Sequence, residues 1–306
     1  MAKKLDSFVR LLSGVDDTYR RLPLNMRLQV EKISQGLTEF GPRKLQRRGA
    51  GTEFFESRDF RPDVDEPRKI NARLSGRAGK PVVVEKEAEI RQHFYLWRDP
   101  SPSMEFNSAA ANYTKREAAE IMLLAFAKHL ARNEELIGIL DRRGTYRGGK
   151  ASDSLTNHLL DVNIVTGNEM PSPARRLPQN STAVLFSDFL MDHDTLLKGL
   201  SELNGTGLKG YLVMTLDPQE IDFKYKGHVE FDGLEGEGKE RFKKAESMKA
   251  AYQEKMREHI DGIEKICKAK GFKLILQRTD EPLHNALLSI YGLRPSTPAR
   301  GFAPKP

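Results

Sequence analysis

From residue 92 onward the chain alternates short apolar runs with amphipathic stretches, and this alternation limits the fold more than any other feature. Apolar runs read as strands at His93–Trp97, Leu136–Leu140, Ala183–Ser187, Gly210–Leu216 and Phe272–Leu276. Between them helical spacing marks Lys115–Arg132, a short piece at His158–Val162, Thr195–Leu203 and Lys239–Ala269. Fully apolar strands, each followed by a helix, are the pattern of a mostly parallel α/β sheet wound with helices on both faces. Leu140–Tyr146, with Asp141, Arg142, Arg143 and Gly144 inside it, predicts a tight turn into a short antiparallel edge strand. Residues 217–238 are charged and Gly-rich; they predict an inserted hairpin with Phe223–Tyr225 and His228–Phe231 as its arms.

The first third reads differently. Residues 5–40 have helical spacing through Phe8, Leu11, Leu12 and Val15, then Leu24, Met26, Leu28, Val30, Ile33 and Leu37, broken by Gly14 and Pro23. From Arg43 the texture becomes a turn, a short strand and a Pro-rich loop, and residues 80–90 predict a further strand. The expected division is a basic helical/β unit over 1–90, an α/β domain over 91–292, and a flexible tail over 293–306. Residues 1–98 hold 21 Lys/Arg against 14 Asp/Glu, and residues 99–306 hold 29 of each, so the whole net charge of +7 lies in the first third. Such a surface is a solvated basic face, or a dock for an acidic protein, nucleic acid or anionic lipid. No nucleic-acid-binding module accompanies it, and nucleic acid is the weaker reading.

At 38% apolar and 30% charged residues, the composition is that of a globular chain. The longest purely apolar run, Ile121–Ala127, falls far short of the roughly 20 residues a bilayer span needs. The start of the chain has no apolar leader core. The single cysteine, Cys267, excludes an intrachain disulfide and a cysteine-based zinc cage. The expected setting is the cytoplasm, or the periphery of the inner membrane.

The chemistry is concentrated where the first α/β strand ends, in Asp99-Pro100-Ser101-Pro102-Ser103-Met104. Ligands of open α/β sheets bind beyond the carboxyl ends of the strands. An Asp-x-Ser-x-Ser loop placed there offers hard oxygen donors suited to Mg²⁺ or Mn²⁺. A second apolar strand ends in Ser187-Asp188. If the two strands are neighbours, Asp99, Ser101, Ser103 and Asp188 form a partial octahedral site with an open position. The plainer alternative is that the serines cap the following helix and Asp99 satisfies loop amides.

The sequence resembles the von Willebrand factor A-like proteins with a metal-ion-dependent adhesion site, and most of all the domain of unknown function 58 family. The resemblance runs over about residues 41–290. It includes Arg47–Phe54, Ser57–Pro62, Arg68–Ile70, Ser75–Arg77, Val84–Glu89, the Asp99–Met104 loop, Ser187–Leu190, Asp217–Glu220, Gly227 and Phe231. The family's Pro-Gly-Asp-Asp and Ile-Asp-Trp are here Pro62-Asp63-Val64-Asp65 and Ile70-Asn71-Ala72, which alters turn chemistry and removes a polar contact and a large packing group. The resemblance implies a von Willebrand factor A-like sheet and a magnesium-dependent adhesion site. It also implies a further hydroxyl from another loop, for which Ser154 and Thr156 are the candidates ahead of Thr145. Such sites bind rather than catalyse: a partner's Asp or Glu fills the open position. The family's setting implies an adaptor working with a MoxR-type AAA+ ATPase in maturation or assembly of other proteins.

Two rival classes remain open. One is a metal-dependent hydrolase or phosphotransferase with Asp99 as nucleophile or metal ligand. Neither a Gly-rich phosphate loop nor a His-x-His pair supports it, and His193 is the histidine nearest the site in sequence. The other is an anionic-polymer or membrane-surface binder built on the basic third. Trp97 reads as core and Cys267 as inert. Phe242, Met248, Tyr252, Met256, Ile263 and Ile266 read as the inner face of the long C-terminal helix.

Overall fold

The computed structural model describes the backbone of residues 2–21, 46–63, 65–89, 92–161, 170–173, 177–178, 181–232 and 239–292. The second half of the first helical stretch and the tail after Gly292 lie outside the described residues. The chain divides into a larger unit, residues 1–42 with 93–306, and a smaller one, residues 43–92.

The larger unit is built on a six-stranded sheet. In chain order its strands are β3 (His93–Arg98), β4 (Leu136–Ile139), β5 (Thr145–Tyr146), β6 (Thr182–Ser187), β7 (Lys209–Leu216) and β10 (Phe272–Arg278), and their spatial order is β10-β7-β6-β3-β4-β5. All neighbours are parallel except β5, the antiparallel edge strand. This is the expected doubly wound α/β class. Its strands are buried on both faces because helices cover both.

One face packs Phe94, Leu96, Val184, Phe186 and Val213 under helix α3 (Lys115–Arg132), with α4 (Gly149–Asp161) and α8 (His284–Ile290) beside it. The other packs Tyr95, Trp97, Leu185, Leu212 and Met214 against α5 (His193–Gly205) and α7 (Lys249–Ala269). Trp97 is core, as expected. Helix α3 starts on a capping box, in which the Thr114 hydroxyl accepts from Glu117 N–H and the Glu117 carboxylate accepts from Thr114 N–H.

Helix α1 (Ala2–Arg20) belongs to this unit. Val15 enters the core beside α3, and Lys128 of α3 bonds Asp16 at 2.6 Å and lies over the Tyr19 ring. The expected 1–90 boundary is therefore not where the chain divides: the apolar face of α1 is buried on α3, leaving 43–92 as the separate piece. That piece pairs β1 (Gln46–Asp59) with β2 (Val82–Glu89) antiparallel, through register shifts between Gly49 and Phe54 and between Phe54 and Glu56. The strand is 14 residues long rather than short, because these bulges absorb its glycines. Arg58 grips both oxygens of Asp65 at 2.7 Å, and this with the Arg61 amide lowers the Asp65 carboxyl to about 2. Helix α2 (Ala72–Ala78) is capped by Asn71, whose side chain accepts from Leu74 N–H.

Three expected boundaries are corrected. Residues 239–242 are not the start of the long helix. They form β9 (Lys239–Phe242), paired antiparallel with β8 (Val229–Asp232), and α7 begins at Lys249. The hairpin arms are therefore 229–232 and 239–242 rather than 223–225 and 228–231; Phe223 instead ends the short helix α6 (Pro218–Asp222) in a left-handed conformation. Four residues such as Lys-Glu-Arg-Phe are too few to separate a period of 2 from one of 3.6. Helix α4 begins at Gly149, nine residues before the expected piece at His158.

Candidate functional site

Strands β3 and β6 are direct neighbours with Arg98 opposite Phe186, and the Asp99 amide continues the ladder to the Phe186 carbonyl at 2.9 Å. Both strand ends therefore open on the same edge of the sheet. Asp99 is 4% exposed and Asp188 2%. Asp99 Oδ1 accepts from the Ser101 amide at 2.8 Å, and its Oδ2 accepts from the Ser187 hydroxyl at 2.5 Å. The Ser101 and Ser103 hydroxyl oxygens lie 3.0 Å apart. Ser103 sits in a short 3₁₀ turn, Pro102–Glu105, whose buried Met104 anchors the loop to the core. Neither serine hydroxyl caps that turn.

After Asp188 the backbone enters the left-handed region at Phe189 (φ 48°), a conformation a bulky residue keeps only when its surroundings impose it. The ring of Phe189 is fully buried, its amide donates to the Ser187 hydroxyl at 2.9 Å, and its carbonyl accepts from His259 Nε2 at 2.8 Å. The ring of His193 stacks on His259 at 4.9 Å, and its Nε2 donates to the His259 carbonyl. His193, nearest the site in sequence, is therefore committed to α7, and the histidine pair shapes the turn that follows Asp188. Sixty-six residues separate these two histidines, so local spacing gave no sign of them.

The residue that sequence reasoning missed is Lys115, the first residue of α3. It is 1% exposed, and its ammonium reaches Asp188 Oδ2 at 2.7 Å and Glu220 Oε1 at 2.6 Å. Burial pulls that ammonium down, but Asp188 and Glu220 outweigh it and hold its pKa above the ordinary lysine value. Glu220 lies in α6; burial raises its carboxyl against the opposing pull of Lys115, and its Oε2 accepts from the Asp217 amide at 2.8 Å. Asp217, at the end of β7, caps α6 through the Gln219 amide and accepts from the Ser108 amide, which ties the metal-type loop segment to a third strand end. A lysine at a helix start reads in sequence as a solvated residue. Only the acidic endings of β6 and β7 on either side hint otherwise.

Ser154 and Thr156 lie inside α4 rather than in a loop, and Thr145 lies in β5. No described contact joins any of the three to Asp99. Among the described residues no three His, Cys, Asp or Glu side chains are grouped to hold a metal, so a cation here would depend on the serine hydroxyls. The residues present fit one of that kind. Adjacent ligands of a small octahedral cation at 2.0–2.1 Å are about 2.9 Å apart, close to the Ser101–Ser103 separation.

Asp99 is buried at a cost. Burial, with Asp188 nearby, raises its carboxyl above the ordinary 3.8 despite the two hydrogen bonds it accepts. As pH rises through 3.8 the unfolded chain ionises first, so stability falls until the folded carboxyl ionises too. Asp99→Asn is therefore expected to stabilise the protein in chelator by about 1–2 kcal/mol at neutral pH, with the advantage vanishing in acid below the ordinary carboxylate range. Urea midpoints for both proteins across that range check it; an Asn variant less stable at every pH would refute it.

No helix among the described residues is long and apolar enough to cross a membrane. No curated protein matches the chain. Among solved structures it is similar to a conserved hypothetical protein, BatB, from Bacteroides thetaiotaomicron, at 9% identity and a TM-score of 0.35, over 66% of this chain and 99% of that one. The family model described as "Protein of unknown function DUF58" matches residues 56–261, which is 206 of the 306 residues, and the chain belongs to that family.

Proposed function

We propose that this chain is a protein-interaction module whose site at the ends of β3 and β6 holds Mg²⁺ or Mn²⁺ and takes a partner's Asp or Glu. The observation that carries this is a charge imbalance. Asp188 and Glu220 share one buried ammonium, that of Lys115, while the Asp99 oxygens accept from the Ser101 amide and the Ser187 hydroxyl, so the buried carboxyls at these strand ends outnumber the ammonium that pairs with them. Buried charge left unpaired is costly and seldom kept without a use. Ser101 and Ser103 would hold the cation directly, while Asp99, with a hydrogen bond already on each oxygen, would act at longer range. When bound, the cation would supply a Lewis-acid position for an incoming carboxylate.

The resemblance to adhesion-site proteins supports binding over catalysis, and it suggests a MoxR-type AAA+ ATPase as a partner, with a client supplying the carboxylate, in the cytoplasm. No observation favours the hydrolase reading: His193 is turned to α7, and both Asp99 oxygens are engaged. The test is thermal unfolding in MgCl₂ or MnCl₂ against chelator, for wild type and Asp99→Ala. A cation bound only by the folded state adds about 2.7 kcal/mol at a hundredfold excess over its dissociation constant. A rise in wild type that is absent from Asp99→Ala is expected, with Asp188→Ala weakened. Equal stability, and equal capture of the ATPase, with and without chelator would overturn the proposal.

A further inference from the structure

We infer that Lys115 takes one unit of negative charge off this site, so that the cation-loaded pocket accepts an anion. The inference rests on the cation reading above and adds a role for Lys115, whose amide donates to the Phe106 carbonyl just after the metal-type loop.

Asp188 and Glu220 come from different elements, the end of β6 and the first turn of α6, and Lys115 joins them from the start of α3. The side chain is buried, and its ammonium lies within 2.7 Å of one oxygen from each acid. The Thr114–Glu117 capping box fixes the backbone at this point. Glu220 is held in turn by the Asp217 amide, and α6 is fixed by Gln253 of α7, which donates to the carbonyls of Ile221 and Asp222. The ammonium is therefore built in rather than adventitious.

Its consequence follows from counting charge. Lys115 offsets one of the two carboxylates it bridges, so a dication beside Asp188 sits in a pocket one unit less negative than the acids alone would make it. An incoming carboxylate then meets an electron-poor cation with less surrounding negative charge. Without Lys115 the dication would bind more tightly, but the loaded pocket would be one unit more negative and would repel a carboxylate. Lys115 thus exchanges intrinsic cation affinity for anion acceptance, and makes the cation and the partner's acid bind as a pair.

The charge count gives the experiment. Mn²⁺ is titrated calorimetrically into the full chain, with and without acetate as the carboxylate probe, for wild type, Asp99→Ala, Lys115→Met and the double variant Lys115→Met/Glu220→Gln. In wild type acetate should tighten Mn²⁺ binding, since linkage between two ligands is reciprocal. Lys115→Met should bind Mn²⁺ at least about tenfold more tightly and lose the acetate effect. The double variant, which removes one carboxylate with the ammonium, should return towards wild type in both respects. Circular dichroism reports folding. If Lys115→Met does not fold, the double variant decides: absence of the acetate effect there overturns the inference. So does a folded Lys115→Met that binds Mn²⁺ no more tightly than wild type, or that keeps the acetate effect. Mn²⁺ binding by none of the proteins, or equally by Asp99→Ala, overturns the cation reading itself and this inference with it.

Discussion

Gly210→Ala should leave little folded protein, although it adds one methyl group. Gly210 opens β7 between two parallel neighbours, opposite Ala183 of β6 and Phe272 of β10. A β-carbon there would lie 1.8 Å from the Ala183 carbonyl oxygen and 2.7 Å from its carbon. These are backbone atoms in a central ladder and cannot move aside as a side-chain tip can. Relief requires β6 and β7 to part, which breaks hydrogen bonds in the middle of the sheet and opens the layer of Leu185, Leu212 and Met214. Overpacking in a core typically costs 1–3 kcal/mol, and a backbone clash in a sheet flanked on both sides is expected to exceed about 3. The site should fail with the fold, since β7 carries Asp217 and, through α6, Glu220. Gly205→Ala, at the end of α5 with nothing within 4 Å, is the control and should be neutral or slightly stabilising. Urea unfolding of both variants checks the pair; a Gly210→Ala midpoint near that of wild type would refute the argument.

The parts of the fold legible in the sequence were those where burial fixes residue type on both faces. Phe94–Trp97, Ala183–Phe186 and Tyr211–Met214 are continuous apolar runs because each is covered from two sides, and their ends fall within a residue or two of the observed strands. The Lys115–Arg132 helix was legible from its length: twelve of its residues are buried, seven of them consecutive at Ile121–Ala127, and a run of that extent between Thr114 and Asn133 is longer than a strand. Legibility failed where charge is exposed and segments are short. Lys239–Phe242 reads as well for a helix as for a hairpin arm, and the first two turns of α4 hold Gly, Lys, Ser and Asp with little apolar signal.

The candidate site was half legible. Asp99, Ser101, Ser103 and Asp188 lie at strand ends, where strand boundaries alone place them. Lys115 and the His193–His259 stack depend on which elements meet in space, and nothing local marks them; Glu220 stands in the Asp217–Glu220 motif, but its pairing with Lys115 is not local. Cys267 was read as inert, and burial pushes its thiol up to about 12, which keeps it protonated at neutral pH.

Lys115→Met should be the most damaging single change at the site itself. The ammonium has given up its water for two carboxylates, and removing it strands Asp188 and Glu220 as buried like charges. Breaking a buried pair in this way costs about 3–5 kcal/mol, more than the pair contributes relative to an apolar replacement of both partners. The loss should depend on pH in a defined direction. The Glu220 carboxyl is already raised by burial above 4.5, and Lys115 is what pulls it back. Without the ammonium it rises further. A carboxyl whose folded pKa exceeds its unfolded one favours folding in acid, and that advantage is lost as pH rises from 4.5 through the folded value. The gap between Lys115→Met and wild type should therefore be small near pH 4.5 and widest at neutral pH and above, and the Glu220→Gln second substitution should narrow it by removing one of the stranded charges. Saturating Mn²⁺ should narrow it as well, because a dication beside Asp188 replaces the lost positive charge. Urea midpoints across pH, in chelator and in Mn²⁺, measure all three effects. A loss of equal size at every pH would mean that Lys115 stabilises through the packing of its aliphatic stem, and the charge argument for the site would fail with it.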